Sequence, residues 1–312
     1  MNIFESTRLP LLVAPMFLVS SPELVIASAQ AGAVGALPAA NARTVETLDA
    51  WLAQIHDELQ APRLPWLLNM IVHSSYDRFE SELELVRRYQ PAIVSTALGS
   101  PARVTEAVKS YGGQVFADVI TPAMAKKSIA AGVDGLILVC SGAGGHTGQY
   151  NPLAFIREVR EFWDGPLGVA GCVSHGEDVL AMQVAGADFV VAGTRFIAAQ
   201  ESFASDDYRD MLVASGLEDI VETTAVSGVN ATWMKASLDK AGIAPEQESA
   251  ARPIDFSGNI STANKAWKDV WSAGQGVGAT RAVASTRQIM DELHAEYVAA
   301  LRTMKHLSEG YL

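Results

Sequence analysis

The stretch V-D-G-L-I-L-V-C-S-G-A-G-G-H-T-G, residues 133–148, joins an apolar run directly to a glycine-rich loop. The run Gly135–Cys140 is continuously apolar, which is typical of a strand buried on both faces of a parallel sheet. The four glycines of the loop allow the backbone to approach a flat ligand closely. The stretch therefore predicts a buried strand whose carboxyl end carries a binding loop.

The same unit, a short apolar run followed by an amphipathic stretch, recurs along the chain. The predicted strands are Leu9–Met16, Ala33–Pro38, Trp66–Val72, Ala92–Leu98, Gln114–Ile120, Gly135–Cys140, Leu167–Val173 and Phe189–Ile197. The predicted helices are Ser21–Ala31, Thr44–Leu59, Ser81–Tyr89, Pro101–Tyr111, Pro122–Ala131, Pro152–Trp163, Gly176–Ala185 and Phe203–Ser215. Strict alternation indicates a parallel α/β fold. An open doubly wound sheet also fits, but eight strand–helix units favour a closed (β/α)8 barrel, the TIM barrel.

The pattern changes after residue 214. Residues 215–262 contain short polar and turn-rich stretches with one helical excursion, and a strong amphipathic helix follows at Ala284–Leu301. We therefore predict that residues 1–214 and 263–312 form the barrel. A small, mainly helical domain is predicted to be inserted at 215–262.

Length and composition limit the classes of protein that the chain can belong to. Its 312 residues suffice for a barrel of about 250 residues with an insertion. Hydrophobic residues make up 49% and charged residues 19%, a globular composition rather than a disordered one. The net charge of −12 gives no indication of a basic surface that would bind nucleic acid or anionic lipid. The first apolar run is short and broken by prolines, so we expect neither a membrane span nor a signal peptide.

The two cysteines, Cys140 and Cys172, are too few for a disulfide framework or a structural zinc site. They indicate reduced thiols in a cytoplasmic protein. No H-E-x-x-H or similar cluster predicts a catalytic metal. A G-x-S-x-G nucleophile elbow is also absent from the sequence, so a hydrolase is not supported.

Barrel active sites lie in the loops that follow the strands, so residues in these loops are the candidates for catalysis. His146 lies in the glycine loop after the sixth strand, and imidazole is a common general base near neutral pH. The alternative is an incidental histidine in a flexible loop. His73 has two open interpretations, since it either lines the mouth of the site or caps its own loop. His175 precedes a helix, where capping is as good an explanation as catalysis.

The loops after the seventh and eighth strands predict a phosphate site. Barrels commonly bind phosphate between these two loops. The backbone N–H groups of Gly171, Cys172, Gly193 and Thr194 can converge on such an anion, and the Thr194 hydroxyl can add a donor. Either loop alone could be an ordinary tight turn. The chain contains neither a P-loop nor a Rossmann G-x-G-x-x-G in its first unit.

Two further strand ends carry candidate residues. Pro15 ends the first strand, and Met16 in the following turn can pack on an aromatic ring, unless the segment is a simple turn. Asn69 is a polar residue in an otherwise apolar strand, and a buried amide needs hydrogen-bond partners. Those partners are either a ligand ring or neighbouring backbone groups.

These motifs, in this order, resemble the nitronate monooxygenase family, formerly called 2-nitropropane dioxygenases. The resemblance rests on A-P-M at 14–16, Asn69, S-G-A-G-G-H-T-G at 141–148, A-G-C at 170–172, A-G-T-R-F at 192–196, S-G-V-N-A-T-W-M-K at 227–235 and W-S-A-G-Q-G-V-G at 271–278. It covers nearly the whole chain, and G-G-H-T-G is its most specific part.

The resemblance implies a barrel that holds one non-covalent FMN and oxidises alkyl nitronates with O₂ to a carbonyl compound and nitrite. It implies that His146 is catalytic, as a general base or as a residue that orients the substrate. The cofactor-binding residues expected on this basis are Pro15, Met16, Asn69, Ser141, Gly144, Gly145, Ala170, Gly171, Cys172, Gly193, Thr194 and Gln275. Gln275 either lies near the ring or stabilises the return of the chain to the barrel.

The sequence departs from the family pattern at one loop. Many relatives carry two glycines where this chain has Gly171 and Cys172, but a backbone N–H survives that change. A second feature concerns the end of the fifth strand, Phe116–Val119, which lacks a lysine found in some related flavin reductases. That absence counts against the first alternative, an NAD(P)H-dependent flavin reductase acting on quinones or enoyl-acyl carrier substrates. The second alternative is a phosphate-binding or isomerase barrel without flavin.

The partners expected from these arguments are a small-molecule nitronate or nitroalkane and O₂. Neither nucleic acid nor a membrane is expected as a partner. A homodimer is one assembly compatible with the sequence, with the 215–262 insertion as a contact surface.

Overall fold

A computed structural model describes residues 3–61, 63–246 and 269–311. Its strands in chain order are β1 (Leu11–Val13), β2 (Gly35–Pro38), β3 (Trp66–Ile71), β4 (Ile93–Ala97), β5 (Gln114–Val119), β6 (Gly135–Val139), β7 (Gly145–His146), β8 (Leu167–Ala170), β9 (Phe189–Ala192), β10 (Ile220–Thr223) and β11 (Ala231–Met234). All strands except β7, β10 and β11 belong to one eight-stranded parallel sheet.

That sheet closes into a barrel. Its hydrogen-bonded order is β1-β9-β8-β6-β5-β4-β3-β2. The first and last strands in this order are joined by a parallel bridge between Leu12 and Val34. The amide of Val13 donates to the Val34 carbonyl at 2.8 Å, and the amide of Val34 donates to the Leu11 carbonyl at 2.9 Å. The predicted (β/α)8 barrel is therefore confirmed, and the open sheet is excluded.

Helices follow the barrel strands and also occur in the segments after them. They are α1 (Pro22–Gln30), α2 (Val45–Glu58), α3 (Phe79–Tyr89), α4 (Ala102–Lys109), α5 (Pro122–Ala130), α6 (Pro152–Arg160), α7 (Gly176–Ala185), α8 (Thr194–Ile197), α9 (Asp206–Ala214), α10 (Lys235–Ala241) and α11 (Thr286–Glu309). Local signals explain several starts. Thr121, for example, caps α5 by accepting from the Met124 amide at 3.1 Å, and Pro122 supplies the first helical residue with a preset φ.

The eighth predicted strand is wrong at its carboxyl end. It was expected to reach Ile197, but β9 ends at Ala192 and the helical turn α8 begins at Thr194. An uninterrupted apolar run does not distinguish a buried strand from a buried helical turn, so the sequence pattern could not locate this boundary. The turn matters, because a helical turn begins directly at the carboxyl end of the last barrel strand.

The barrel interior is filled at its amino-terminal end. The inward-facing side chains form one cluster, whose buried members are Phe4, Leu12, Val34, Ala36, Leu67, Ile93, Phe116, Ile137, Phe189 and Val191. Phe4 stacks on Phe189 with ring centroids 3.9 Å apart. Gly168 makes room for the Phe189 ring, because a Cβ atom there would lie 2.2 Å from it. This packed layer is the floor on which the site at the opposite end rests.

The segment after the barrel contains strands in addition to a helix. Within its described part, β10 and β11 form an antiparallel pair, and β11 also pairs with β7 of the glycine loop. These strands did not show in the sequence pattern because four residues are too few to give a clear periodicity. The mainly helical character predicted for 215–262 stays a prediction. Residues 247–262 lie outside the described residues, so the boundaries 215–262 stay a prediction.

Within the described ranges, no helix combines the length and the apolar character that crossing a bilayer requires.

Candidate active site

A cavity of about 1300 Å³ opens at the carboxyl ends of the barrel strands. Single-ligand sites in proteins measure about 300–1,000 Å³, so this cavity has room for a cofactor and a substrate together. All predicted site residues except Ser141 and Gln275 line it: Pro15, Met16, Asn69, Gly144, Gly145, His146, Ala170, Gly171, Cys172, Gly193 and Thr194. The topology therefore brings together loops that are far apart in the sequence.

His146 lies on β7, a short strand rather than an irregular loop. It pairs with Ala231 of β11, and the next amide, that of Thr147, donates to the Asn230 carbonyl at 3.3 Å. The Thr147 hydroxyl donates to the Cys140 carbonyl at 3.0 Å, which ties the strand back to the end of β6. The segment after the barrel thus fixes the backbone that carries the histidine.

The surroundings of His146 favour its neutral form. The residue is exposed to the cavity, and the protein atoms around that cavity limit the access of bulk water to the ring. Burial lowers the pKa of His146 below its usual range, because a charged imidazolium is poorly solvated there. A neutral imidazole at physiological pH can accept a proton from a substrate, which is what a general base requires.

The loops after β8 and β9 form a cradle at one side of the cavity. Gly171 has φ +123° and Cys172 has φ +57°, so the chain turns sharply as it leaves β8. A Cβ atom on Gly171 would lie 2.9 Å from the Ser141 carbonyl oxygen, so only glycine fits there. At the other loop, α8 begins at Thr194, and the first amides of a helix have no intrahelical acceptor.

Thr194 completes this cradle with its hydroxyl. Its Oγ1 accepts from the Gly274 amide at 2.9 Å, and its own hydrogen can then be donated into the cavity. None of the described residues that line the cavity is a lysine or an arginine. Backbone N–H groups and one hydroxyl are therefore the donors of the cradle, and donors of this kind fit a phosphate group.

Arg195 holds the cradle from behind. Its guanidinium is buried, donates to the Ala279 carbonyl at 2.9 Å and pairs with Glu292 of α11 at 2.6 Å. A third contact, to the Ser174 carbonyl at 3.5 Å, reaches the loop after β8. The arginine of A-G-T-R-F therefore links both cradle loops to the last helix.

Ser141 and Gln275 have structural positions outside the cavity lining. The Ser141 amide donates to the Tyr150 carbonyl at 2.9 Å. The Gln275 amide donates to the Gly142 carbonyl at 3.0 Å, and its Oε1 lies 3.7 Å from the Cys172 Sγ. Of the two interpretations of Gln275, the contacts favour stabilisation of the returning chain.

The remaining predicted residues divide between the cavity and its supports. Asn69 lines the cavity and donates from Nδ2 to the Ser95 hydroxyl at 2.8 Å. The Met16 carbonyl accepts from Asn41 Nδ2 at 3.1 Å, which fixes the turn after β1. His73 accepts from the Ser75 amide at 3.2 Å, and His175 is the N-cap residue of α7. Neither histidine is among the residues that line the cavity.

Asp118, near the end of β5, is a cavity residue that the sequence analysis missed. Burial raises the pKa of Asp118 to about 7, so its carboxyl titrates near neutral pH. The pattern Q-V-F-A-D-V-I does contain a signal, because an acidic residue interrupts an apolar strand just as Asn69 does. A single acidic residue in a strand does not by itself show whether it faces a site or solvent.

Two aromatic residues that line the cavity, Tyr208 and Trp271, are also missing from the sequence-based prediction. Tyr208 stacks on Trp271 with ring centroids 5.2 Å apart, and its hydroxyl donates to the Ser272 carbonyl at 2.5 Å. Burial raises the pKa of Tyr208 to about 12, so the phenol stays protonated. These residues come from segments after the eighth barrel strand, where no periodic pattern pointed to the site.

The positive φ of Cys172 leads to a stability prediction. Glycine adopts this conformation without the steric cost that any Cβ atom brings. We expect Cys172→Gly to be more stable than Cys172→Ala by about 1 kcal/mol, with flavin retained in both variants. Urea denaturation of the two variants measures the difference. Equal stability, or a more stable alanine variant, would contradict the backbone argument.

Comparisons with known proteins agree with this geometry. A family model described as nitronate monooxygenase matches residues 60–296. The chain is 30% identical to the nitronate monooxygenase of Paraburkholderia phytofirmans over 79% of each chain. It is 26% identical to a (3aS,4S,5R,7aS)-5-hydroxy-7a-methyl-1-oxo-octahydro-1H-indene-4-carboxyl-CoA dehydrogenase of Rhodococcus jostii, over 70% of this chain and 61% of that relative.

A solved structure supports the fold. The nitroalkane oxidase of Streptomyces ansochromogenes superposes with a TM-score of 0.83 at 23% identity, covering 97% of this chain and 100% of that one. The barrel and the family match together place the chain among the flavin-dependent oxidoreductases. Within that class, the chain belongs to the nitronate monooxygenase family.

Proposed function

We propose that the protein binds one FMN and oxidises alkyl nitronates with O₂, producing a carbonyl compound and nitrite. The observation that carries the proposal is a single cavity that His146 shares with the cradle of Gly171, Gly193 and Thr194. The cradle suits the phosphate of FMN, and the family model that matches the chain is that of nitronate monooxygenase. FMN, when bound, supplies the redox chemistry.

The protein's own part in this scheme is binding, orientation and proton transfer. Thr194 and the amides of the two cradle loops hold the phosphate. His146, neutral at physiological pH, accepts the α-proton of a nitroalkane, while an already anionic nitronate needs only to be oriented by the ring. The stacked rings of Tyr208 and Trp271 line the cavity and provide apolar surface beside the substrate.

Oxygen uptake by FMN-loaded protein with propionate 3-nitronate tests the proposal, with nitrite assayed in the same vessel. Parallel reactions contain NADH or NADPH. Uptake with nitrite release and no need for pyridine nucleotide is the expected result. An FMN-loaded protein that consumes no oxygen with nitronates would reject the proposed reaction.

The mouth of the cavity indicates which nitronates are preferred. Leu98, Ile120, Met124 and Phe203 line it, yet each is 40–46% exposed. Such a ring of exposed apolar side chains at a cavity marks a ligand-binding surface. An alkyl chain that extends from the nitronate group would bury this surface.

We therefore expect kcat/KM to rise about two- to fourfold for each methylene from ethyl- to hexylnitronate, because each added group buries apolar surface. Phe203→Ala should weaken this dependence. Val184→Ala, at an exposed residue outside the cavity lining, serves as the matched control. A flat series for the unmodified protein would show that the mouth does not bind the alkyl chain.

A second candidate function is NAD(P)H-dependent reduction through the same flavin. It is favoured by the likeness to the indene-carboxyl-CoA dehydrogenase, a relative that is named for a dehydrogenase reaction. Anaerobic mixing with NADH or NADPH separates the two candidates. Fast bleaching of the flavin, together with no response to nitronates, would favour this reductase function and direct the search to its electron acceptor.

A further inference from the structure

An acidic side chain that the proposed mechanism does not use, that of Asp118, lines the cavity. Asp118 lies on β5 two residues after Phe116, whose ring packs inside the barrel against Phe189 at 5.7 Å. Alternate residues of a strand face the same side, so Asp118 also faces inwards, one layer closer to the mouth. It lines the same cavity as His146.

The neighbours of Asp118 on both adjacent strands are apolar. On β6 it pairs with Ile137. On β4, Thr96 pairs with Ala117, so the next residue, Ala97, lies beside Asp118. Ile137 and Ala97 both line the cavity. Among the described residues, neither a hydrogen bond nor a nearby charge contributes to the raised pKa of the carboxyl, which burial alone explains.

The charged and titratable groups around the cavity are few. The described lining residues that titrate, besides Asp118, are His146, Cys172 and Tyr208. On the following helix α5, Lys126 places its amine over the Phe162 ring at 4.6 Å, and neither Lys126 nor Lys127 lines the cavity. An ionised Asp118 would therefore face the cavity without a cation there to offset it.

We propose that Asp118 is a specificity-determining residue whose carboxyl sets the charge of the molecule that the cavity accepts. A protonated carboxyl donates a hydrogen bond to an anionic group such as a nitronate or carboxylate. The ionised carboxylate repels the same anion and still accepts a neutral molecule. The inference rests on the proposed function only for the identity of the natural anion.

The direction of the pH dependence follows from the raised pKa of about 7. Below that pH the carboxyl carries its proton, and anions bind. As pH rises through 7 the carboxyl ionises, and anion affinity falls. His146 titrates below its usual range, so its own contribution lies at lower pH. Burial raises the pKa of Cys172, and that of Tyr208 is about 12, so both titrate at higher pH.

The test compares a matched pair of inert probes, 4,4,4-trifluorobutanoate and 4,4,4-trifluorobutanamide. Their dissociation constants are measured by ¹⁹F NMR line broadening with the purified protein between pH 5 and pH 8. The Kd of the anion divided by that of the amide is expected to rise about tenfold through pH 7, as a like charge in a cavity produces. This readout requires no turnover.

Three variants isolate the contribution of Asp118. Asp118→Asn, which is isosteric and always neutral, should abolish the step near pH 7, and unchanged amide binding shows that it is folded. Asp118→Glu should retain a step. Asp164→Asn, which removes the same charge from an exposed residue outside the cavity lining, should behave as the unmodified protein does.

Two results overturn the proposal. One is a step near pH 7 that persists in Asp118→Asn, and the other is a failure of the anion to bind the unmodified protein at any pH. A protein that shows the expected step but does not oxidise nitronates would instead reject the proposed reaction and leave the role of Asp118 intact.

Discussion

His146→Asn is expected to lower kcat/KM for neutral nitroethane by about 10²- to 10⁴-fold, the usual contribution of a general base. An asparagine cannot take up the α-proton, although it keeps a polar side chain on β7. Oxidation of preformed ethylnitronate should fall far less, because that substrate has already lost its proton. The ratio of the two kcat/KM values is therefore the informative measurement.

The pH profile adds a second readout for the same residue. Burial lowers the pKa of His146, so the unmodified protein should gain nitroethane activity as pH rises through a value below the usual histidine range. It should then stay active at neutral pH, where the ring is neutral. The variant should lose this step.

His175→Asn is the matched control for this experiment. It makes the same substitution in another loop histidine, one that caps α7 and does not line the cavity. Asparagine is itself a good N-cap residue, so the control should keep its stability and its full activity. If His146→Asn were as active on nitroethane as His175→Asn, His146 would not be the general base.

The barrel was readable from the sequence because its strands are buried on both faces. Continuous apolar runs such as Trp66–Ile71 and Gly135–Val139 have no alternative but to be covered by helices. The cradle loops were readable for a related reason. A fold that directs the carboxyl ends of its strands to one face brings Gly171 and Gly193 together, whatever their separation in the sequence.

What the sequence did not provide was the wall that completes the site. β7, β10 and β11 are strands of two to four residues, and β7 pairs with β11 across 85 residues of sequence, as Ala231 does with His146. Neither propensity nor periodicity encodes a contact of that kind. The same limit applies to Tyr208 and Trp271, because their stacking is a tertiary contact between distant segments.

Asp118 was missed for a different reason. Burying a carboxylate in an apolar strand costs free energy. Whether such a residue belongs to a binding site depends on which side of the strand it faces. The register with β6 and the packing of Phe116 settle that direction, and both are tertiary facts. The sequence could show that residue 118 was unusual, whereas the structure shows that it lines the same cavity as the histidine.

Thr194→Val is expected to weaken FMN binding about 10- to 100-fold, because a hydrogen bond to a charged group contributes about 1.5–3 kcal/mol. Valine keeps the shape of threonine but removes the hydroxyl that the structure places between the Gly274 amide and the cavity. Fluorescence titration of flavin-free protein with FMN measures the change. Thr194→Ser, which restores a hydroxyl, should recover most of the affinity.

Riboflavin separates the two ways in which this substitution can act. It has the same ring as FMN but lacks the phosphate, so its affinity should be almost unchanged in Thr194→Val if the hydroxyl meets the phosphate. An equal loss of affinity for both flavins would mean that Thr194 acts only by holding Gly274, and the phosphate assignment would then be wrong. Thr96→Val is the matched control, because Thr96 is also buried, makes one hydrogen bond to the Phe116 carbonyl and does not line the cavity.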